Sequence, residues 1–280
     1  MKKVYAGAEN IISSLGFNVE ENISNIIDGR SGIKIDRSGI FSPVPLPLSM
    51  IDHGRLNNSF EDKHIKQYTL LEKMFIYSIN DSIKRSGIDI SADDTLIIFT
   101  TTKGNIDLLS PKAQHEKPVN RVSLPELARI VAAHFKNPNT PMIISNACIS
   151  GVVGLIYGER MLRSGKYKHI VVSGGDLMSE FVVSGFQSFQ SLSMAPCRPF
   201  DKDRDGLNLG EGCGTIILSS DPAVFLDGNP IRVLGGAGSN DANHISGPSR
   251  TGEGLQIAIR HSLEFSGVST DVIDSISAHG

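Results

Sequence analysis

Pro141-Met142-Ile143-Ile144-Ser145-Asn146-Ala147-Cys148-Ile149-Ser150-Gly151 passes from a short apolar run into a helical pattern, and the rest of the chain is read outward from that junction. Met142 to Ser145 reads as a buried strand, and Ile149 to Ser164 as a helix ending before Gly165. Cys148 therefore meets the first backbone N–H groups of a helix, which lack intrahelical partners. Such an end favours thiolate over thiol by roughly 0.3 to 1 kcal/mol. That alone does not make a nucleophile, so a partner base or an electropositive pocket is also required. The position equally suits an inert cysteine, because free Cys is among the most buried residue types. Both readings stay open on position alone.

Further apolar runs flank this one: Leu96 to Thr100, His169 to Ser173, Thr215 to Leu218, Ile231 to Leu234 and Val272 to Ser277. They are continuous rather than alternating, as strands covered on both faces are, and amphipathic stretches of helical length separate them. A layered α/β fold follows. Gln67 to Arg85 has helical spacing, with Gly87 placed to stop it. Ser123-Leu124-Pro125-Glu126 has the form of a capping box opening a helix to about Phe135. Gly151 and Gly154 each weaken the helix after Cys148 by roughly 1 kcal/mol relative to Ala, which predicts close packing of that helix against another.

The 280 residues are 40% hydrophobic and 20% charged, ordinary globular material with room for one large or two smaller domains. A net charge of −3 gives no footprint for nucleic acid or an anionic membrane surface. No apolar run reaches the roughly 18 to 20 residues of a membrane span, and the start of the chain lacks the apolar length of a signal peptide. A soluble cytoplasmic protein is expected. Three cysteines without scaffold or zinc spacing predict reduced thiols.

The segment Cys197 to Gly214 contains Asp201-Lys202-Asp203-Arg204-Asp205-Gly206, which opens like an EF-hand loop. The match fails at its twelfth position, Gly212, where a bidentate Glu belongs, so no metal is expected. His244 and His279 lie where a loop or strand end would place them, suited to a pocket or to a structural hydrogen bond. The glycines from Gly206 to Gly214 do not form a dinucleotide fingerprint and no Walker lysine is present. Nucleotide binding is not expected.

Asn146 to Gly151, the Arg198 to Gly214 loop and the terminal Ala278-His279-Gly280 occur in an order that resembles the β-ketoacyl synthases of the thiolase-like superfamily, over about Val4 to Gly280. The resemblance implies a thiolase-like layered α/β/α fold with the N-terminal half, 1–230, complete and the C-terminal half, 231–280, only begun. It implies that Cys148 attacks an acyl thioester delivered by an acyl carrier protein. His279 then steadies the enolate formed from a malonyl thioester, and neither metal nor redox cofactor takes part. Ile149 stands where a small residue is usual. Lys103, in Thr101-Thr102-Lys103-Gly104-Asn105, stands in a turn expected to be richer in glycine and to line the acyl pocket. Lys63, His64 and Lys66 fall in a region resembling a carrier-docking surface, though a solvated charged helix start explains them as well. The family's second histidine, its lysine and a glycine-rich gating loop belong beyond Gly280, so the catalytic set is incomplete within these residues. Family members are commonly dimers. The rivals are a non-catalytic partner subunit of a synthase heterodimer, which typically lacks the cysteine, and a thiolase-like acyltransferase using coenzyme A thioesters.

Overall fold

The computed structural model describes residues 2–110, 117–240 and 251–278. Strand β1 (Val4–Ile12) leads through α1 (Val19–Ile27) to β2 (Lys34–Asp36), β3 (Leu46–Ser49) and α2 (His53–Asn58). A 3-10 turn, Lys63–Gln67, precedes α3 (Leu70–Lys84), β4 (Thr95–Thr100), α4 (Leu124–His134), β5 (Met142–Ile144), α5 (Ser150–Arg163) and β6 (His169–Asp176). Then come α6 (Glu180–Ser188), β7 (Leu209–Gly210), β8 (Gly212–Ser219), β9 (Ile231–Val233) and α7 (Glu253–Ser266).

The main sheet has the order β5-β4-β6-β8-β1-β9, and β2-β3-β7 forms a second one. β4 runs parallel to β5 and β6, while β8 is antiparallel to both β6 and β1. The continuous apolar runs are explained by burial on both faces. Along β4, Ile97 and Phe99 enter one core with α3 and α4, whereas Leu96 and Ile98 enter the other beneath α5. Side chains of a strand alternate between faces, so each face claims every second residue and the middle of β4 is apolar throughout, with polar residues only at its ends, Thr95 and Thr100.

β1 departs from this rule. Its pairing with β8 slips between Gly7 and Asn10, where Ala8 adopts φ 51°. Val4 and Ala6 face the α5 side, but Ala8 and Ile12 face the α3 side. One extra residue in a bulge exchanges the faces.

The glycines of α5 face the sheet, not the helix partner expected from them; its contact with a helix is made elsewhere, where Arg160 and Arg163 stand over the Phe265 ring of α7. A Cβ on Gly154 would stand 2.7 Å from Thr100 Cγ2, and one on Gly158 would stand 2.9 Å from Leu218 Cδ1, while Gly151 meets nothing. The missing side chains let helix and sheet approach; they do not serve a helix pair.

The helix read from Gln67 begins at Leu70, where Thr69 and Glu72 form the capping box. It ends with Arg85 as its cap, before Gly87. The box expected at Ser123 is not made: Glu126 instead receives both guanidinium bonds of Arg129. The strand expected at Val272 to Ser277 is also absent. Thr270–Val272 is a 3-10 turn and residues 273–278 are exposed, since a strand needs a hydrogen-bonding neighbour and none of the described strands lies beside them. At the position where the second half is expected to start, β9 is paired with β1.

Candidate active site

The loop after β5 is built to present one sulfur. Thr101 N–H donates to Ile144 O at 3.2 Å and Ser145 Oγ donates to Thr102 O at 3.3 Å, tying the end of β5 to the turn after β4. Ala147 then takes φ 45°, a left-handed conformation uncommon outside glycine. Ser150 Oγ accepts from Asn146 N–H at 2.8 Å and donates to Ala147 O at 2.7 Å, which holds the reversal from both sides. α5 starts immediately after, and no side chain caps its first turn. Cys148, at the apex, is exposed. The reading of Cys148 as a buried structural cysteine therefore fails.

It describes Cys213 instead. Cys213 is fully buried, and that burial pushes its thiol up to about 12 despite hydrogen bonds with Ser173 and Ser78. Thiolate is the reactive form, so Cys213 is silent near neutrality.

Cys148 opens into a cavity of about 710 Å³. Its wall joins the Thr100 to Lys103 turn, the start of α5, the end of β6, and Val182 and Phe186 of α6. At the C-terminal end of β6, Asp176 organises that wall. Its carboxylate accepts from Thr101 Oγ1 at 2.6 Å, Thr102 Oγ1 at 2.9 Å, Thr102 N–H at 3.0 Å and Lys103 N–H at 3.4 Å. The Thr100 to Lys103 turn is thus wrapped around a carboxylate. Asp176 escaped the sequence reading. The available signal was an acidic residue directly after Gly174-Gly175 at a strand's C-terminal end, the edge where α/β sheets place their sites.

A second carboxylate supports the wall from behind. Buried Glu211 accepts from Met178 N–H at 3.2 Å, Ile51 N–H at 3.3 Å and His53 Nε2 at 2.7 Å. The hydrogen bond to Glu211 raises the His53 pKa above its ordinary 6.5, burial opposes this, and Asp52 and Asp107 add smaller attraction. A raised folded-state pKa gives stability that is fully present below the unfolded value and is lost as pH rises through the folded one. The melting-temperature advantage of the native protein over His53→Gln is accordingly largest below pH 6.5 and declines above it. A difference independent of pH between 5 and 9 would overturn this.

The structure brings Lys103 and Cys148 to one cavity. Lys63 and Lys66 lie on the 3-10 turn Lys63–Gln67, which contributes no residue to the lining of that cavity. His279 and His244 lie outside the described residues. Among the described residues no group of three His, Cys, Asp or Glu could hold a metal ion, and no helix is long and apolar enough to cross a membrane.

Residues 10–223 match the family model described as "Beta-ketoacyl synthase, N-terminal domain". The chain belongs to that family. Over its whole length it is 32% identical to a 3-oxoacyl-[acyl-carrier-protein] synthase 2 of Synechocystis and 24% identical to that of Vibrio cholerae, covering 73% of each. The ketosynthase ApeO, solved in complex with its chain length factor ApeC from Xenorhabdus doucetiae, superposes with a TM-score of 0.81 at 25% identity, over 97% of this chain and 70% of that one. A β-ketoacyl synthase from Burkholderia phymatum shares the fold with a TM-score of 0.83 at 18% identity, over 100% of this chain and 74% of that one. The thiolase-like layered fold expected from the family's motifs is the fold of these ketosynthases.

Proposed function

We propose that this chain carries the acyl-accepting part of a β-ketoacyl-[acyl-carrier-protein] synthase working in fatty acid or polyketide synthesis. One observation carries the reading: in a member of this family, Cys148 stands exposed at the head of α5, at the mouth of a cavity large enough for an acyl chain. The Cys148 thiol gives up its proton and the thiolate attacks the thioester carbonyl; the acyl C–S bond to the carrier breaks, and the carrier leaves as a thiolate that takes up a proton to become the thiol. The helix end and the Cys148 N–H are the donors that this reading assigns to the carbonyl oxygen as it gains charge. A malonyl thioester then loses carbon dioxide, and the electron pair of the broken C–C bond passes into an enolate. His279 steadies that enolate. Its carbon attacks the acyl group, the C–S bond breaks and the Cys148 thiolate returns with release of a 3-oxoacyl thioester. Incubation with an acyl-pantetheine thioester, followed by peptide mass spectrometry, should place one acyl group on Cys148; acylation elsewhere would refute the assignment.

The division into 1–230 and 231–280, and a cytoplasmic location, belong to the same proposal. So does pairing with a second synthase-type subunit, like or unlike. Solved ketosynthases superposing on this chain include complexes with a chain length factor and with an acyl carrier protein. A purely non-catalytic partner role is disfavoured by Cys148 itself.

Carrier docking is assigned to the 3-10 turn at Lys63 and Lys66, of which Lys66 is exposed. An acidic carrier held by charge binds less tightly as salt screens it, within about 10 Å at 0.1 M. Lys66→Glu should weaken carrier binding several-fold at low ionic strength and flatten its salt dependence. Unchanged affinity would dispose of this surface.

A further inference from the structure

The cavity at Cys148 is lined by a lysine that the proposed sulfur chemistry does not use. Lys103 lines it and is half-buried, and its ammonium has no hydrogen bond or ion pair among the described residues. Two carboxylates share the cavity. That of Asp176 is occupied by the hydroxyls of Thr101 and Thr102 and by the N–H groups of Thr102 and Lys103; Glu9 is exposed to solvent. Elsewhere the lining is largely apolar, with Leu155, Val172, Val182, Phe186 and Ile216. An alkyl chain that fills this space displaces water from Lys103 and offers no acceptor in return, and an unsatisfied donor costs roughly 1 to 3 kcal/mol. A chain with a carbonyl or hydroxyl oxygen supplies the acceptor.

We propose that Lys103, fixed in the wall by the Asp176 clamp on its own turn, is a specificity-determining residue that selects acyl thioesters bearing an oxygen acceptor along the chain over plain alkyl ones. This rests on the reading of Cys148 as the acyl acceptor. The test compares hexanoyl- and 5-oxohexanoyl-pantetheine as donors, with the rate of Cys148 acylation followed by intact mass. The native chain should prefer the 5-oxo donor about tenfold. Lys103→Met should bring the ratio to about one, and Lys103→Arg should keep it. Equal rates in the native chain, or an undiminished preference in a folded Lys103→Met chain, would overturn the proposal. Failure of both donors to acylate the folded native chain would instead strike at Cys148 as nucleophile and take this inference down with it.

Discussion

Cys148→Ala abolishes acyl-enzyme formation. Removal of a covalent nucleophile has cost on the order of 10⁶-fold in a well-studied hydrolase, so no adduct should appear in the time that saturates the native protein. The two other thiols give no bypass, because Cys213 is buried with its thiol pushed up to about 12 and Cys197 lies outside the lining of the cavity. The contrast with His279 makes the result diagnostic. In the proposed mechanism His279 serves the enolate rather than the thioester, so in His279→Ala acylation of Cys148 should persist while condensation, measured in the full-length synthase, falls. A wild-type-like adduct in Cys148→Ala, or equal loss of both steps in His279→Ala, would refute the division of labour.

The second large effect concerns a buried ion pair beside the turn that carries Lys103. Glu72 is fully buried on the first turn of α3 and pairs with Arg121, whose side chain is 14% exposed. Asn105 Nδ2 donates to Glu72 Oε1 at 3.1 Å and to Arg121 O at 2.9 Å, and Thr69 Oγ1 donates to Asn105 Oδ1 at 2.7 Å. Arg121→Ala leaves a carboxylate buried without its counter-charge, which destabilises by about 3 to 5 kcal/mol. Denaturant unfolding measures it. The double variant Glu72→Gln/Arg121→Met, which removes both charges, should recover most of the loss; a double variant no more stable than Arg121→Ala would show that the charge itself is not responsible.

What the sequence made legible was local in character. The strand before Cys148, the helix after it and the position of the sulfur between them follow from periodicity over a few residues. The apolar runs of β4 and β6 announce a sheet covered on both sides. The network at Asp176 was hidden because its partner Thr101 is 75 residues away, and His53 is 158 residues from Glu211. No spacing rule links such pairs. Topology makes them neighbours, by laying β6 beside β4 and β7 beside β3. The false capping box at Ser123 has the opposite cause. Its four-residue pattern is present, but Arg129, one turn further on, competes for Glu126 and offers charge where the backbone offers only a dipole.

The bulge in β1 bears on how the molecule comes apart. A single strand lends Val4 and Ala6 to one core and Ala8 and Ile12 to the other. Peeling it from β8 opens both at once. The two layers therefore share one fate in unfolding, and amide protons beneath α3 and beneath α5 are expected to exchange as one cooperative unit rather than as separate halves.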